Sequence, residues 1–484
     1  MLTGVRMFSE PCSLECRFQK QKSQMCLNTK RGNTMKHLDL TEGSVAKNLL
    51  LFAVPFLIAN ILQSLYGAVD LFVIGRYCTA ASVAAVSTGT QVTQIVTSLV
   101  TGLTLGGTIL IGQYMGCKDY EQVKRTIGTT LTAFLIVALI LAALMLGFLR
   151  PLLTILKTPE ESFERTMQYV AICALGNPFI CGYNAISAIL RGYGDSTRPM
   201  MFVGIASVLN MILDFVFVRF FAMDVAGTAL ATVISQGVSM GIAVWYLKKS
   251  KFLFDFRLKN FRPDPETCKK LARVGIPISF QELMVRISFL YLMTVMNSCG
   301  VFAASVVGIS SKYDVFAMLT ATSMASALAA ITAQNMGAGK PERARKSLWM
   351  GMGFALFVSV LFWLWAQLAP DTMLRVFTTD EQVVEAGIPF FRSCSYDYVL
   401  VTIVFCLNGY LNGRQKTVWT MVSCSAGALL VRIPMVWFFG THFPEDLGML
   451  GKIAPAVSGI MAAYTLFYVI YEGRKNRETG MVSH

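Results

Sequence analysis

Charge is what this sequence has least of. Only 14% of its 484 residues are Asp, Glu, Lys or Arg, against about a quarter in soluble domains. Histidine occurs 3 times and acids number 28. So few charged groups cannot clothe a soluble chain of this length, which excludes a cytosolic multidomain enzyme. Residues 1–34 also lack the apolar core of about 7–15 residues that a secretory leader needs. The 12 cysteines lack a pattern. Cys12, Cys16 and Cys26 lie near His37 at spacings unlike those of zinc sites and are read as free thiols. Residues 1–34 read as a disordered tail or a start-site artefact.

Hydrocarbon is abundant instead. Hydrophobic residues make up 54% of the chain, and mean hydropathy is +0.56. The apolar residues fall into blocks long enough for a bilayer core, which takes roughly 20 helical residues. Twelve such spans are expected: 49–75, 83–112, 127–149, 167–190, 200–221, 226–247, 274–298, 303–336, 348–369, 386–411, 418–439 and 453–471. The net charge of +14 invites a nucleic-acid reading, but the basic residues are distributed by side. Of the 42 Lys and Arg, 31 fall in the segments on one face of the membrane when the N-terminus is placed inside. That is the positive-inside pattern. It argues against nucleic acid and for a plasma-membrane protein in contact with lipid, with both termini cytoplasmic.

The chain repeats itself. Gln113-Tyr-Met-Gly116 matches Gln334-Asn-Met-Gly337, and Glu121 matches Glu342, all at an offset of 221. Gly192 pairs with Gly413 at that offset, and Pro55 with Pro277 one residue out. The expected organisation is a six-helix lobe over 35–248, a basic cytoplasmic connector over 249–273, a second lobe over 274–471 and a tail over 472–484. Six is even, so both lobes would share one orientation, related by an axis along the membrane normal. Parallel repeats of this kind belong to alternating-access transporters. The fold class is therefore all-α integral membrane, with twelve helices in two parallel six-helix bundles.

Charges inside spans are expensive and need a reason. In the second half, Glu282, Arg286, Lys312, Asp314, Arg392, Asp397 and Arg432 mix acids with bases, and Glu282 and Arg286 share one helix face. Mutual neutralisation accounts for that set. In the first half, Asp70 and Asp214 have no base three or four positions away. Helical rise puts Asp70, Asp214 and Thr232 at similar depth, each roughly 8–10 Å from the outer end of its span. Asn210 sits one turn below Asp214, and Tyr66 one turn below Asp70, with Gln63 beneath it. Two acids, an amide and a hydroxyl could thus converge, and hard oxygens of this kind suit a proton or a small cation. Simple interhelical hydrogen bonding is the alternative account. Gly102-x-x-x-Gly106 and Gly237-x-x-x-Gly241 read as helix-packing motifs.

A hydrolase reading competes. Gly192-Tyr-Gly-Asp195 and Tyr396-Asp397 look like the two signatures of intramembrane aspartyl proteases. The order is reversed, however, and Asp195 lies in a short loop between Arg191 and Arg198.

From about Leu40 to Tyr471 the chain resembles the multidrug and toxic compound extrusion (MATE) family. The resemblance is carried by Pro55, Gln63, Asp70 and Gly75 in the first span, by Asn210-x-x-x-Asp214 followed by Gly227-Thr-Ala-Leu-Ala-Thr232, and by Gln334-Asn-Met-Gly-Ala-Gly-Lys340. It implies a secondary exporter, not an enzyme, with no cofactor, coupled to Na⁺ or H⁺. The coupling site it implies is Asp70, Asn210, Asp214 and Thr232, with Na⁺ as the possible metal. Gln63 and Tyr66 would line the cavity, with Glu282 and Arg286 as further lining candidates. Some members have a second acidic site in the C-terminal lobe, but the matching position here is Val285. Pro55 and Gly67 are the candidate hinges. The expected cargo is small organic cations, and the expected state a monomer. A flippase of lipid-linked saccharides remains the alternative transporter, and a channel would need a pore loop that the sequence does not show.

Overall fold

Apolar blocks in a bilayer must satisfy every backbone group internally, and a helix does so within one segment. The computed structural model, which describes residues 38–155, 158–250, 252–257 and 260–478, accordingly contains helices and no strand among the described residues. The readings made for residues 1–34, Cys12, Cys16 and Cys26 lie outside them.

The first half runs α1 (Val45–Tyr77), α2 (Ala80–Gly116), α3 (Tyr120–Ile155), α4 (Glu160–Tyr193), α5 (Thr197–Phe215) and α6 (Asp224–Lys249). The second runs α7 (Pro265–Ser298), α8 (Val301–Gly337), α9 (Pro341–Leu368), the short α10 (Pro370–Arg375), α11 (Glu381–Cys394), α12 (Tyr396–Gly413), α13 (Thr417–Ala426), α14 (Ile433–His442), α15 (Leu447–Gly451) and α16 (Ile453–Glu478). Twelve helical stretches among the described residues are long and apolar enough to cross a membrane. Each overlaps one span expected from the sequence. The helices overrun the apolar blocks at most ends, because a helix continues into water once its backbone is hydrogen-bonded.

Local chemistry sets the ends. Asp195 Oδ1 accepts from the backbone N–H of Thr197 and Arg198, both at 3.1 Å, opening α5. The same carboxylate pairs with Arg198. Asp195 is thus a helix cap in a loop, which accounts for it without catalysis. Gly194, at φ 98°, closes α4 in a left-handed conformation that glycine adopts without strain. Asp264 takes hydrogen bonds from Thr267 N (2.9 Å) and Oγ1 (2.6 Å) at the start of α7. These bonds hold its carboxyl below the usual carboxylate range. Inside α2 the hydroxyls of Thr97, Thr101, Thr104 and Thr108 each donate to the carbonyl four residues earlier, at 2.8–3.1 Å. Polar side chains are thereby neutralised on their own helix. Large apolar side chains face outward, as with Phe72 and Phe357; in lipid that is the low-energy direction.

Two regular helices are interrupted by π turns. α5 passes into one at Val216–Phe220, directly after Asp214. A second, Gly427–Arg432, joins α13 to α14.

The chain forms two compact units. The first gathers Ile58–Gly275, Ala330–Ala344 and the described residues through Ser44; the second gathers Val45–Leu57, Ile276–Ala329 and Arg345 onward. The division falls inside α1 between Leu57 and Ile58, two residues after Pro55, and inside α7 between Gly275 and Ile276, just ahead of Pro277.

Within the first unit the two copies of the repeated motif meet. A Cβ on Gly116 would collide with the carbonyl oxygen of Gln334, and one on Gly337 with that of Gln113. Each motif therefore supplies the glycine that its counterpart's backbone needs. Gly106 makes a similar approach to Gly275, where a Cβ would lie 3.0 Å from the Cα. The Gly237/Gly241 motif does not: a Cβ on Gly241 meets nothing within 4 Å.

In the same unit, the segment before α1 is strapped down by its carbonyls. Arg343 donates to Leu40 O (3.3 Å), Glu42 O (2.7 Å) and Gly43 O (2.8 Å). Lys340 donates to Thr41 O at 2.9 Å and Asn335 to Leu40 O at 3.2 Å. Leu40 itself is completely buried.

Candidate functional site

The first unit brings α1, α5 and α6 together around the residues that the sequence singled out. Asp70 and Asp214 are both buried, Asp214 completely. They are neighbours, each carboxylate acting on the other. Neither belongs to any ion pair among the described residues. Arg219, the base nearest in sequence to Asp214, lies over the Tyr77 ring instead, 5.7 Å from its centroid.

The rest of the group converges on them. Asn210, one turn before Asp214, donates through Nδ2 to Thr232 Oγ1 on α6 at 3.4 Å. Tyr66 feels the charge of Asp70 from one turn away on α1. Gln63, Tyr66, Asn210 and Thr232 line one small cavity together with Ser207, Ser235 and Gln236. Its ≈ 10 Å³ is room for about one water-sized particle.

The oxygens here are under-supplied with donors. Apart from the contact between the Asp70 and Asp214 carboxyl groups themselves, Asp70 Oδ1, both carboxylate oxygens of Asp214, Asn210 Oδ1, Ser207 Oγ and Gln236 Oε1 are all buried without a hydrogen-bond partner. A buried polar atom left unpaired costs about 1–3 kcal/mol. So dense a group of acceptors is tolerable when a positive occupant or a proton donor completes it. Two adjacent carboxylates away from water cannot both stay ionised unaided. A proton held on one of them, or a small cation between them, balances the charge. Carboxylate, amide and hydroxyl oxygens suit a hard cation.

Several participants carried no sequence signal. Ser207, Ser235 and Gln236 are ordinary polar residues in apolar helices. Tyr169 of α4 lies close to Asp70 and Tyr66 and bonds Thr90 at 3.4 Å. A π turn follows Asp214 directly, and π turns often mark functional positions.

The second unit arranges its charges differently. Arg432, at the end of the second π turn, donates to Ser288 Oγ at 3.1 Å and sits 4.3 Å from the centroid of the Phe289 ring. Asp397 faces Ser458 and Arg432, and Asp314 faces Asp397, Tyr398 and Arg432. Acids and a base share one buried neighbourhood here, as the mixed composition of these spans suggests. Glu282 is likewise within electrostatic reach of Arg286 on the same helix.

The hinge candidates lie within unbroken helix: α1 is continuous through Pro55 and Gly67. A Cβ on Gly67 would meet nothing within 4 Å.

The MatE family model matches the chain twice, over residues 55–216 and 277–438. The matches begin at Pro55 and Pro277, one residue off the offset of the repeated Gln113/Gln334 motif. A probable multidrug resistance protein of Bacillus subtilis (strain 168), YpnP, is 28% identical over 416 residues, spanning 84% of this chain and 91% of that protein. A protein of Shewanella oneidensis named FAD transporter is 23% identical, with 89% and 95% covered. A solved structure described as the outward-facing conformation of a multidrug resistance MATE family transporter superposes with a TM-score of 0.85 at 21% identity, covering 94% of this chain and 100% of that one. At that identity the likeness bears on the fold. A family model that spans both halves, together with relatives matched over nearly their whole length, places this multi-pass membrane protein in the MatE family of multidrug and toxic compound extrusion transporters.

Proposed function

We propose that the chain is a secondary exporter of organic, amphipathic cations, driven by inward movement of Na⁺ or H⁺ and working by alternating access. The observation that carries this reading is the buried pair Asp70 and Asp214, side by side with no arginine or lysine among the described residues bonded to either. The ion would bind there, with Asn210 and Thr232 completing its shell. Binding drives a cycle only if the ion prefers one conformation over another. A carboxylate pair that closes around a cation and repels itself without one has that preference built in. α1 carries Asp70 and would relay the change through a bend at Pro55, beside which the helix passes from one compact unit to the other. Gly67 is the alternative bend.

Cationic cargo is proposed from the same buried acids, whose negative charge would favour a positive compound. The transporter would act as a monomer in the plasma membrane, with both termini in the cytoplasm. No enzymatic step or cofactor enters the proposal.

The test is ethidium efflux from cells or proteoliposomes, under an imposed Na⁺ gradient and separately under a pH gradient. One gradient should drive export by the wild type. Asp70→Asn should lower export at least tenfold, because the amide neither carries the charge nor exchanges a proton. Wild-type efflux in that variant overturns the proposal.

A further inference from the structure

We propose that the coupling ion has a second station below the acid pair, built from neutral oxygens, and that the ion it holds is Na⁺. This inference rests on the exporter reading above and deepens it by choosing the ion.

Three helices step away from the carboxylates in the same direction. On α5, Ser207 lies seven residues before Asp214, about 10 Å along the axis. On α6, which runs the opposite way, Gln236 lies four residues after Thr232. On α1, Gln63 lies one turn before Tyr66. These steps converge on one cavity, lined by Gln63, Ser207, Asn210, Ser235 and Gln236 among others. The occupant has to be small, because the space takes about one water-sized particle.

The chemistry of the wall narrows its identity. Ser207 Oγ, Asn210 Oδ1 and Gln236 Oε1 are buried with no hydrogen-bond partner, and Ser207 is 1% exposed. Amide and hydroxyl oxygens do not take up a proton near neutral pH, so a proton travelling alone cannot satisfy them. A partly dehydrated alkali cation can, because hard oxygen donors are what it coordinates. The wall carries no carboxylate of its own. An ion held by neutral oxygens is bound loosely enough to leave, which conduction through successive sites requires. The upper carboxylates and this neutral ring then form a strong and a weak site, with Asn210 lining both: its Nδ2 bonds Thr232 while its Oδ1 remains free.

The experiment is a Na⁺ titration of the full-length protein in detergent, read as the rise in melting temperature when NaCl replaces choline chloride at constant ionic strength. The wild type should be stabilised saturably by Na⁺. The double variant Ser207→Ala with Gln236→Leu should need at least tenfold more Na⁺ for the weaker of two phases, the stronger carboxylate phase staying in place. Gln236→Glu adds a charge to the ring and should need several-fold less, so a poorly folding double variant does not close the question. A weaker phase left unchanged by the variants, or a wild-type titration with a single phase, means that the cavity holds only water and overturns the station. A wild type indifferent to Na⁺, whose efflux is nevertheless driven by a pH gradient and lost in Asp70→Asn, overturns the station and leaves the exporter standing. Efflux that survives Asp70→Asn sinks the exporter reading itself.

Discussion

An aspartate in a membrane helix is legible because nothing in hydrocarbon tolerates it cheaply. That is why Asp70 and Asp214 stand out of 484 residues, and helical rise gives them a similar expected depth. Ser207 and Gln236 were not legible. Serine and glutamine satisfy themselves on their own helix in many settings, so their type carries no signal; only the absence of a partner for Ser207 Oγ and Gln236 Oε1 does. The pair itself makes a residue-scale prediction about stability. Asp70→Asn removes the repulsion between two close carboxylates while keeping the side chain's shape. The variant should melt no lower than the wild type in Na⁺-free buffer at neutral pH, even though it exports poorly. A marked fall in melting temperature would mean that Asp70 is mainly structural. A second prediction concerns Asp264, whose carboxyl is held low by its bonds from Thr267. A depressed acid stabilises the fold above its unfolded pKa, about 3.9, and loses that contribution as pH falls through the folded value. Asp264→Ala should cost up to about 1 kcal/mol at pH 7, the usual value of a cap, with the charge contribution reduced by solvent screening. The gap in melting temperature between variant and wild type should shrink below about pH 4.

At the scale of elements, the helices were foreseen because length and hydropathy define a span, and all twelve stretches overlap an expected block. Their interruptions were not. A π turn needs one extra residue in a turn, and no composition announces it; Val216–Phe220 reads as plain hydrophobic sequence with one arginine. Glycine spacing was half informative. Gly106 does pack against backbone, whereas Gly241 faces open space. The distinction depends on which neighbour approaches, and spacing on one helix cannot report that. Gly337→Ala should cost about 2 kcal/mol, the usual penalty of forcing a methyl group into a filled contact. Gly241→Ala should leave the melt in detergent unchanged or slightly higher, since alanine is the better helix former. Equal effects at the two sites would contradict the close contact.

For the whole molecule, the duplication was visible as collinear matches, and the family model's two matches, over 55–216 and 277–438, follow it. The strap before α1 was invisible, because Arg343 and Lys340 hold carbonyl oxygens that every residue possesses. Arg343→Ala should remove three charge-assisted bonds, worth about 2 kcal/mol where half-exposed. Its effect should be local: proteinase K should cut between residues 38 and 44 faster than in the wild type, with the main melting transition barely moved. Unchanged cleavage would show that Leu40 burial alone pins the segment.

Where Gly116 and Gly337 bring the ends of α2 and α8 together, main chain approaches main chain at two points where a methyl group would not fit. Interlocked side chains act as gear teeth and resist rolling until they jump a notch; bare backbone acts as a bearing. If the chain cycles as the exporter proposal requires, a contact made of backbone at these points would offer fewer notches to the motion. The duplicated ancestor would have supplied both halves of that bearing from one short stretch of sequence.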